Sequence, residues 1–447
     1  MSWSAAEMSS LDLGDTRLDR RCALLLETLA QRPHQSISAA SDAWADAVGA
    51  YRFFNNKRVT MEKILQAHSE ATCQRIAKES VVLCLADTTQ LDYTSMPETK
   101  GLGTLGLEFQ NGLFLHPVLA VTPDRLCLGA LDAYMWARPH DARVRKQRKK
   151  KGDSESYRWI HGYKQICATA HKMPQTQFVY VADRESDIAA LFVEAQGQVV
   201  DVVVRARCDR FAEDDERLSH RIADAPLLGT TTFELPGTPK RASRTVTQEI
   251  RATTITLDAS HYQLDQDKPV RMTVVMAQEI NPPPGTESAT WVLLTTKTVT
   301  TLKQAEIIIS WYRCRWEIET FFHVLKTGCR VEQLQLTDAD RLKPAIALYI
   351  IIASRILHAT KISRVCPDIP ATCFFTKQEC DVVYQVVHRK NPPKEIQSLR
   401  TIVRLIARMG GFLARKSDGE PGPQTVWTGL IRLRDIIIGF NLLKRCV

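Results

Sequence analysis

Val81-Val82-Leu83-Cys84-Leu85-Ala86-Asp87 is an unbroken apolar run that ends on a carboxylate. A run this short, without polar interruption, predicts a strand buried on both faces, of the kind found inside an α/β sheet. The pattern returns at Phe178-Val179-Tyr180-Val181-Ala182, which ends on Asp183. In open α/β sheets, sites form beyond the carboxyl ends of the strands, so the two aspartates can converge there. Either one alone reads first as a solvated strand-end residue; the matched pair brings a shared site level with that reading.

Working outward, residues 113–121 and 126–136 read as two more strands, 186–195 as a helix and 199–205 as a strand. The first 60 residues read as helical, with Leu18, Cys22, Leu25, Leu26 and Leu29 at helical spacing and Gly14-Asp15 as the start signal. Arg17, Arg20 and Arg21 lie in this first helix. A second helix begins near residue 63 and leads into Ser80. Residues 206–298 differ. The stretches 231–235, 243–257, 271–279 and 291–298 are rich in Val, Ile and Thr and are separated by turn clusters such as Asn281-Pro282-Pro283-Pro284-Gly285. They predict an antiparallel β block inserted into the α/β core. Residues 301–326 predict one helix. From Leu342 on the chain reads as mostly helical, with a loop at 416–424.

The chain has 447 residues and a net charge of +9, which at about 100–200 residues per domain gives two to four domains. The charge is unevenly placed: residues 1–62 carry −1, residues 353–447 carry +9, and the short stretch 138–151 carries +7. That stretch, followed by Gly152-Asp153-Ser154, reads as a mobile loop that either meets an acidic partner or is simply solvated. No secretory signal is visible at the N-terminus. The longest apolar run, 345–353, is well short of the roughly 20 residues that cross a bilayer. Twelve cysteines without a Cys-x-x-Cys pair fit a reducing compartment. Cys366, Cys373 and Cys380, seven apart with His388 beyond, suit one face of a helix better than a zinc site. His161 and His171 show no ligand spacing and read as structural.

On a helix over 301–326, at about 100° per residue, Tyr312, Arg315, Glu319 and Lys326 share a sector about 60° wide. Ile307, Trp311, Ile318, Phe322 and Leu325 form the apolar stripe beside it. An ordinary amphipathic helix with mixed charges at its boundary is one reading. A carboxylate metal ligand among phosphate-binding groups is the other. Asp87, Asp183 and Glu319, with no clustered His or Cys, would make a hard, oxygen-only site suited to Mg²⁺ or Mn²⁺. Arg315 would grip phosphate as a bidentate fork and Lys326 as a point charge.

Tyr312-x2-Arg315-x3-Glu319-x6-Lys326 resembles the Y-R-E-K signature of bacterial cut-and-paste insertion-sequence transposases, the insertion-sequence-four and transposon-five type of DDE enzyme. The resemblance covers nearly the whole chain. Leu13-Gly14-Asp15 and the arginines after it resemble the family's N-terminal DNA-binding helix, and Gly49-Ala50-Tyr51-Arg52-Phe53 the segment that closes that domain. Ala86-Asp87-Thr88-Thr89 resembles the first catalytic aspartate, and Asp183-Arg184-Glu185-Ser186-Asp187-Ile188 the second. Glu279-Ile280-Asn281-Pro282-Pro283 and Trp291-Val292-Leu293-Leu294-Thr295 resemble the inserted β region. Gly410-Gly411-Phe412, Trp427 and Gly439-Phe440 resemble the C-terminal dimerisation helices.

The resemblance implies a ribonuclease-H-like, retroviral-integrase-like α/β catalytic core at 63–352, with its β insertion at about 206–298. A helical DNA-end-binding domain at 1–62 and a helical dimerisation region at 353–447 would flank it. It implies that Asp87, Asp183 and Glu319 ligate two Mg²⁺ ions, with Mn²⁺ able to substitute. The reaction would be nicking, hairpin formation and resolution, then strand transfer, carried out by a homodimer on paired inverted repeats and target DNA. Trp291 matches the family's base-stacking tryptophan, its other reading being a core residue of a β strand. Arg205 matches a residue near the hairpin, and Arg17, Arg20 and Arg21 are candidates to read the terminal repeat. Arg184, Glu185 and Asp187 read equally as caps of the following helix. The alternatives are a stand-alone Mg²⁺-dependent nuclease on the same core and a catalytically dead DNA-binding repressor of transposition. The expected location is the bacterial cytoplasm, at the nucleoid when active, with no membrane partner.

Overall fold

The computed structural model describes residues 2–107, 109–141, 155–235, 243–262, 268–286, 288–416 and 418–446. Most of the basic stretch read at 138–151 therefore lies outside the described residues. The chain folds into two compact units. One comprises Met1–Lys78, Thr88–Lys150 and Glu317–Val447, the other Glu79–Asp87 and Lys151–Trp316. The strands are β1 (Val81–Ala86), β2 (Thr89–Asp92), β3 (Gly103–Thr104), β4 (Asn111–Val121), β5 (Cys127–Trp136), β6 (Gln177–Ala182), β7 (Asp201–Arg205), β8 (Leu227–Leu235), β9 (Arg244–Thr256), β10 (Arg271–Glu279) and β11 (Trp291–Thr295).

In the second unit the strands lie in the order β1-β6-β7-β11-β10-β9-β8. The first three are parallel, and from β7 onward every pairing is antiparallel, as expected for the β block. Val82–Ala86 and Phe178–Ala182 are all fully buried, which is why both runs carry no polar residue before their aspartates. The helix Tyr157–His171 buries Trp159, Tyr163 and Ile166 at helical spacing. Its Tyr163 meets Tyr180 of β6 edge-on at 5.6 Å, and the Tyr163 hydroxyl donates to the Val200 carbonyl at 2.8 Å. β9 buries alternate residues, Val246, Gln248, Ile250 and Ala252, the period of a strand with one face in the core. At the irregular pairing of β8 with β9, Gly229 has φ of 152°, and a Cβ there would lie 2.7 Å from the Leu302 side chain. Only glycine fits.

In the first unit, β4 is flanked by antiparallel partners β2 and β5, with β3 beside its start. The N-terminal helices are Trp3–Glu7, Thr16–Gln31, Ile37–Ala40, Trp44–Phe54 and Met61–Ile76. Asp15 caps the second by accepting the Arg17 N–H at 2.9 Å, and that helix buries Cys22, Leu25, Leu26 and Leu29. The helix Ala339–Val365 is long and apolar enough to cross a membrane by length and composition, yet 78% of that apolar window is buried within the protein. It is a core helix. Cys366 ends it, Cys373 lies in a 3₁₀ turn and Cys380 in the helix Lys377–His388. The seven-residue spacing of these cysteines therefore does not mark one helix face.

The short first helix is held down by charge. The Glu7 carboxylate accepts from Arg75 at 2.9 and 3.0 Å and pairs with His68 Nδ1 at 2.5 Å. His68 Nε2 accepts the Ala130 N–H at 2.9 Å, so Nδ1 carries the proton and donates to Glu7. Burial raises the Glu7 carboxyl, but the bonds from His68 and Arg75 outweigh it and hold it at about 2. A depressed carboxyl stabilises the fold above its unfolded value, about 4.3, and that contribution disappears as pH falls through the folded value. Glu7→Gln should therefore lower the melting temperature at pH 6, with the gap to the native chain closing as pH drops from about 4 toward 2. A gap independent of pH would show that the carboxylate charge is not what holds the helix.

Candidate active site at the strand ends

β1 and β6 pair in parallel with Ala86 opposite Ala182. The next residue on each strand is the aspartate, so Asp87 and Asp183 leave neighbouring strand ends at the same level, about 4.8 Å apart in the pairing direction. Asp183 is half-buried, and its Oδ1 accepts the Glu185 N–H at 2.9 Å, opening the 3₁₀ turn Arg184–Ser186. Asp87 is deeper, with its side chain 17% exposed, and pairs with Arg315 at 3.2 Å. The sequence places Asp87 and Arg315 228 positions apart; the fold joins them.

The helix expected over 301–326 is not continuous. It begins with a capping box in which Thr301 and Gln304 satisfy each other's backbone, and it ends at Arg313. Cys314 and Arg315 then close 3₁₀-type bonds to the carbonyls three residues back, Trp311 and Tyr312. A new helix runs Trp316–His323 and passes into a π turn, Val324–Gly328, closed by Cys329 N–H to the Val324 carbonyl at 2.8 Å. Each change of winding alters the advance per residue, so the four signature residues do not share one stripe. Tyr312 and Arg315 are buried, Glu319 is exposed on the second helix, and Lys326 is half-buried in the π turn. A buried guanidinium requires a carboxylate partner, and the tightened turn places Arg315 where Asp87 supplies one.

Tyr312 packs against Trp291, ring centroids 6.4 Å apart. Arg205 donates to the carbonyl of Thr290, next to Trp291, at 3.4 Å. Phe233 of β8, which no sequence pattern distinguished, stacks on Trp291 at 5.7 Å. It is half-buried in a strand with no fully buried residue, and nothing local in the sequence names its neighbour. In the first unit, Lys326 pairs with Glu332 at 3.4 Å. Arg17 is held by Asp15 and Arg21 by Asp46, while Arg20 is exposed. Asp187 is not a helix cap. It is buried and accepts from Arg210 Nε and the Arg207 N–H, both at 2.7 Å, fastening the chain after β7. Glu185 pairs with Arg158 at 2.6 Å. His171 Nδ1 lies 2.6 Å from the Cys167 carbonyl oxygen, the structural role expected of it.

Among the described residues no three His, Cys, Asp or Glu side chains form a ready-made metal cluster. Two adjacent carboxylates repel each other unless a cation stands between or beside them. At Asp87 that cation is the Arg315 guanidinium. The donors are oxygens only, which fits a hard divalent ion.

Three family models match in series. Residues 1–59 match the transposase DNA-binding domain, residues 124–354 the transposase DDE domain, and residues 351–444 the transposase Tn5 dimerisation domain. Asp183 and Glu319 lie inside the DDE match and Asp87 before it; the β1–β6 register sets Asp87 beside Asp183. Among solved structures, a piggyBac transposase synaptic complex with hairpin DNA is similar over 97% of this chain and 80% of that one. The identity is 10% and the TM-score 0.37. The DDE match alone spans more than half of the sequence. Flanked by its DNA-binding and dimerisation domains, it makes the chain a member of the DDE transposase family, of the transposon-five and insertion-sequence-four type, an enzyme that cleaves and transposes DNA.

Proposed function

We propose that the chain cuts and pastes a transposon by acting on its terminal inverted repeats as a homodimer. The core would be ribonuclease-H-like. Residues 1–62 would bind the ends, 63–352 carry the chemistry, and 353–447 dimerise. The observation that carries the reading is the register that sets Asp87 and Asp183 side by side within a DDE transposase. Asp87, Asp183 and Glu319 would hold two Mg²⁺ ions, with Mn²⁺ able to substitute. Bound there, the metals would stabilise the attacking and leaving oxygens of phosphodiester displacement.

The other roles belong to side chains. Arg315, buried against Asp87, holds that carboxylate in place, and its fork can turn to a phosphate once the carboxylate has another cation. Lys326 offers a point charge to the DNA backbone from the π turn. Water cuts the transferred strand; the freed 3′-hydroxyl attacks the opposite strand, and the hairpin so closed is hydrolysed before strand transfer into target DNA. Hairpin closure needs a base drawn out of the stack, at a cost of a few kcal/mol that stacking on an aromatic ring offsets. Trp291 supplies that ring, with Arg205 beside it.

Asp87→Ala, Asp183→Ala and Glu319→Ala should each abolish Mg²⁺-dependent cleavage of an inverted-repeat duplex while band shifts still show end binding. Nicking that survives in any one of them removes that residue from the site. Trp291→Ala should slow hairpin closure roughly 5- to 150-fold, the loss of about 1–3 kcal/mol of base stacking, and slow the first nick much less. Equal loss at both steps contradicts a stacking role. End binding should weaken steeply with salt as phosphate contacts release counterions, because the basic excess lies at 138–151 and 353–447. A flat response over 50–200 mM salt would tell against those contacts.

A further inference from the structure

Trp291 opens β11 and Phe233 lies on β8, with β10 and β9 between them in the sheet. On a flat sheet with strands about 4.8 Å apart, three strand steps amount to about 14 Å. The two ring centroids are 5.7 Å apart and the planes only 23° from parallel. The antiparallel block is therefore strongly coiled. The helix Leu302–Arg313 packs against it, with Leu302 at Gly229 and the Arg313 guanidinium 4.6 Å from the Phe233 ring centre.

A base stacking on a tryptophan needs a parallel ring face. Among the described residues Trp291 has two ring neighbours, and they differ. Tyr312 meets it at 60°, is 4% exposed and sits in the helix that packs against the sheet. Phe233 lies nearly parallel to it, is only half-buried, and belongs to the last strand of the sheet, beyond which no strand pairs among the described residues. The face laid out for stacking is already occupied, by the neighbour better able to leave.

We propose that Phe233 is a place-holder for the extruded base. It stacks on Trp291 in the DNA-free enzyme and gives up that face when a base is drawn out at the transposon end. Phe233 is thus a positioning residue that acts through Trp291 and sets how readily the hairpin step proceeds. The inference rests on the reading of Trp291 as the base-stacking residue.

The test compares hairpin closure with the first nick on one substrate, the inverted-repeat duplex that flanks the coding sequence, using full-length protein and Mg²⁺. Phe233→Ala removes the competitor, so the ratio of hairpin rate to nick rate should rise roughly two- to tenfold, the usual worth of an aromatic pair. Phe233→Tyr keeps the ring and should leave the ratio at the native value. If Phe233→Ala does not fold, Phe233→Leu keeps the apolar bulk without a planar ring and should show the same rise. A ratio that falls makes Phe233 a support for Trp291 and overturns the proposal; an unchanged ratio overturns it too. Trp291→Ala separates the two levels. If it leaves the ratio unchanged, the stacking reading of Trp291 fails. If it lowers the ratio, adding Phe233→Ala should change nothing more, and a further rise in the double variant would show that Phe233 does not act through Trp291.

Discussion

The site depends on one constraint, that two carboxylates held side by side at the ends of buried strands must be balanced by positive charge. The strands leave no choice about the pairing. Val82–Ala86 and Phe178–Ala182 are buried on both faces, and a shift of one residue in their register would bring an aspartate toward the core or carry an apolar residue out of it. Parallel pairing of Ala86 with Ala182 therefore fixes where Asp87 and Asp183 emerge. The balancing charge at Asp87 comes from Arg315, and the chain changes winding at Cys314 and Arg315 to deliver it. Strand burial, carboxylate placement and the break in the helix form one linked arrangement.

That arrangement also accounts for the buried part of the signature. Tyr312 lies on the last turn of the helix that packs against the coiled sheet, where it meets Trp291, and Arg315 pairs with Asp87 at the strand ends with its guanidinium 6.0 Å from the Tyr312 ring centre. The same short segment thus reaches two places, the carboxylates and the aromatic group. Glu319 and Lys326 follow on the next helix and in the π turn. Winding changes of this kind are frequent at functional sites, because each one re-aims side chains without lengthening the chain.

Buried charge elsewhere serves the scaffold. Asp187 and Arg210 are both almost fully enclosed and satisfy each other together with the Arg207 N–H; leaving either unpartnered would cost about 3–5 kcal/mol. Glu7 does similar work on His68 and Arg75 at the first helix. Both carboxylates sit where a local reading expects a cap or a surface residue, because their partners are distant in sequence. Local spacing carries no information about such partners.

What the sequence determined by itself is whatever follows from burial and period: the two strands ending in aspartate, the N-terminal helix buried through Leu25, Leu26 and Leu29, the antiparallel block after residue 206, and the family signature. These are local patterns, and the side chains that make them are the ones that must avoid water. Only the tertiary structure decided that the signature helix breaks at Cys314, that Arg315 closes on Asp87, that Asp187 binds Arg210, and that Phe233 reaches Trp291 across two intervening strands. Each of these depends on coiling, winding or long-range ion pairing, where the energy lies between residues far apart in the chain.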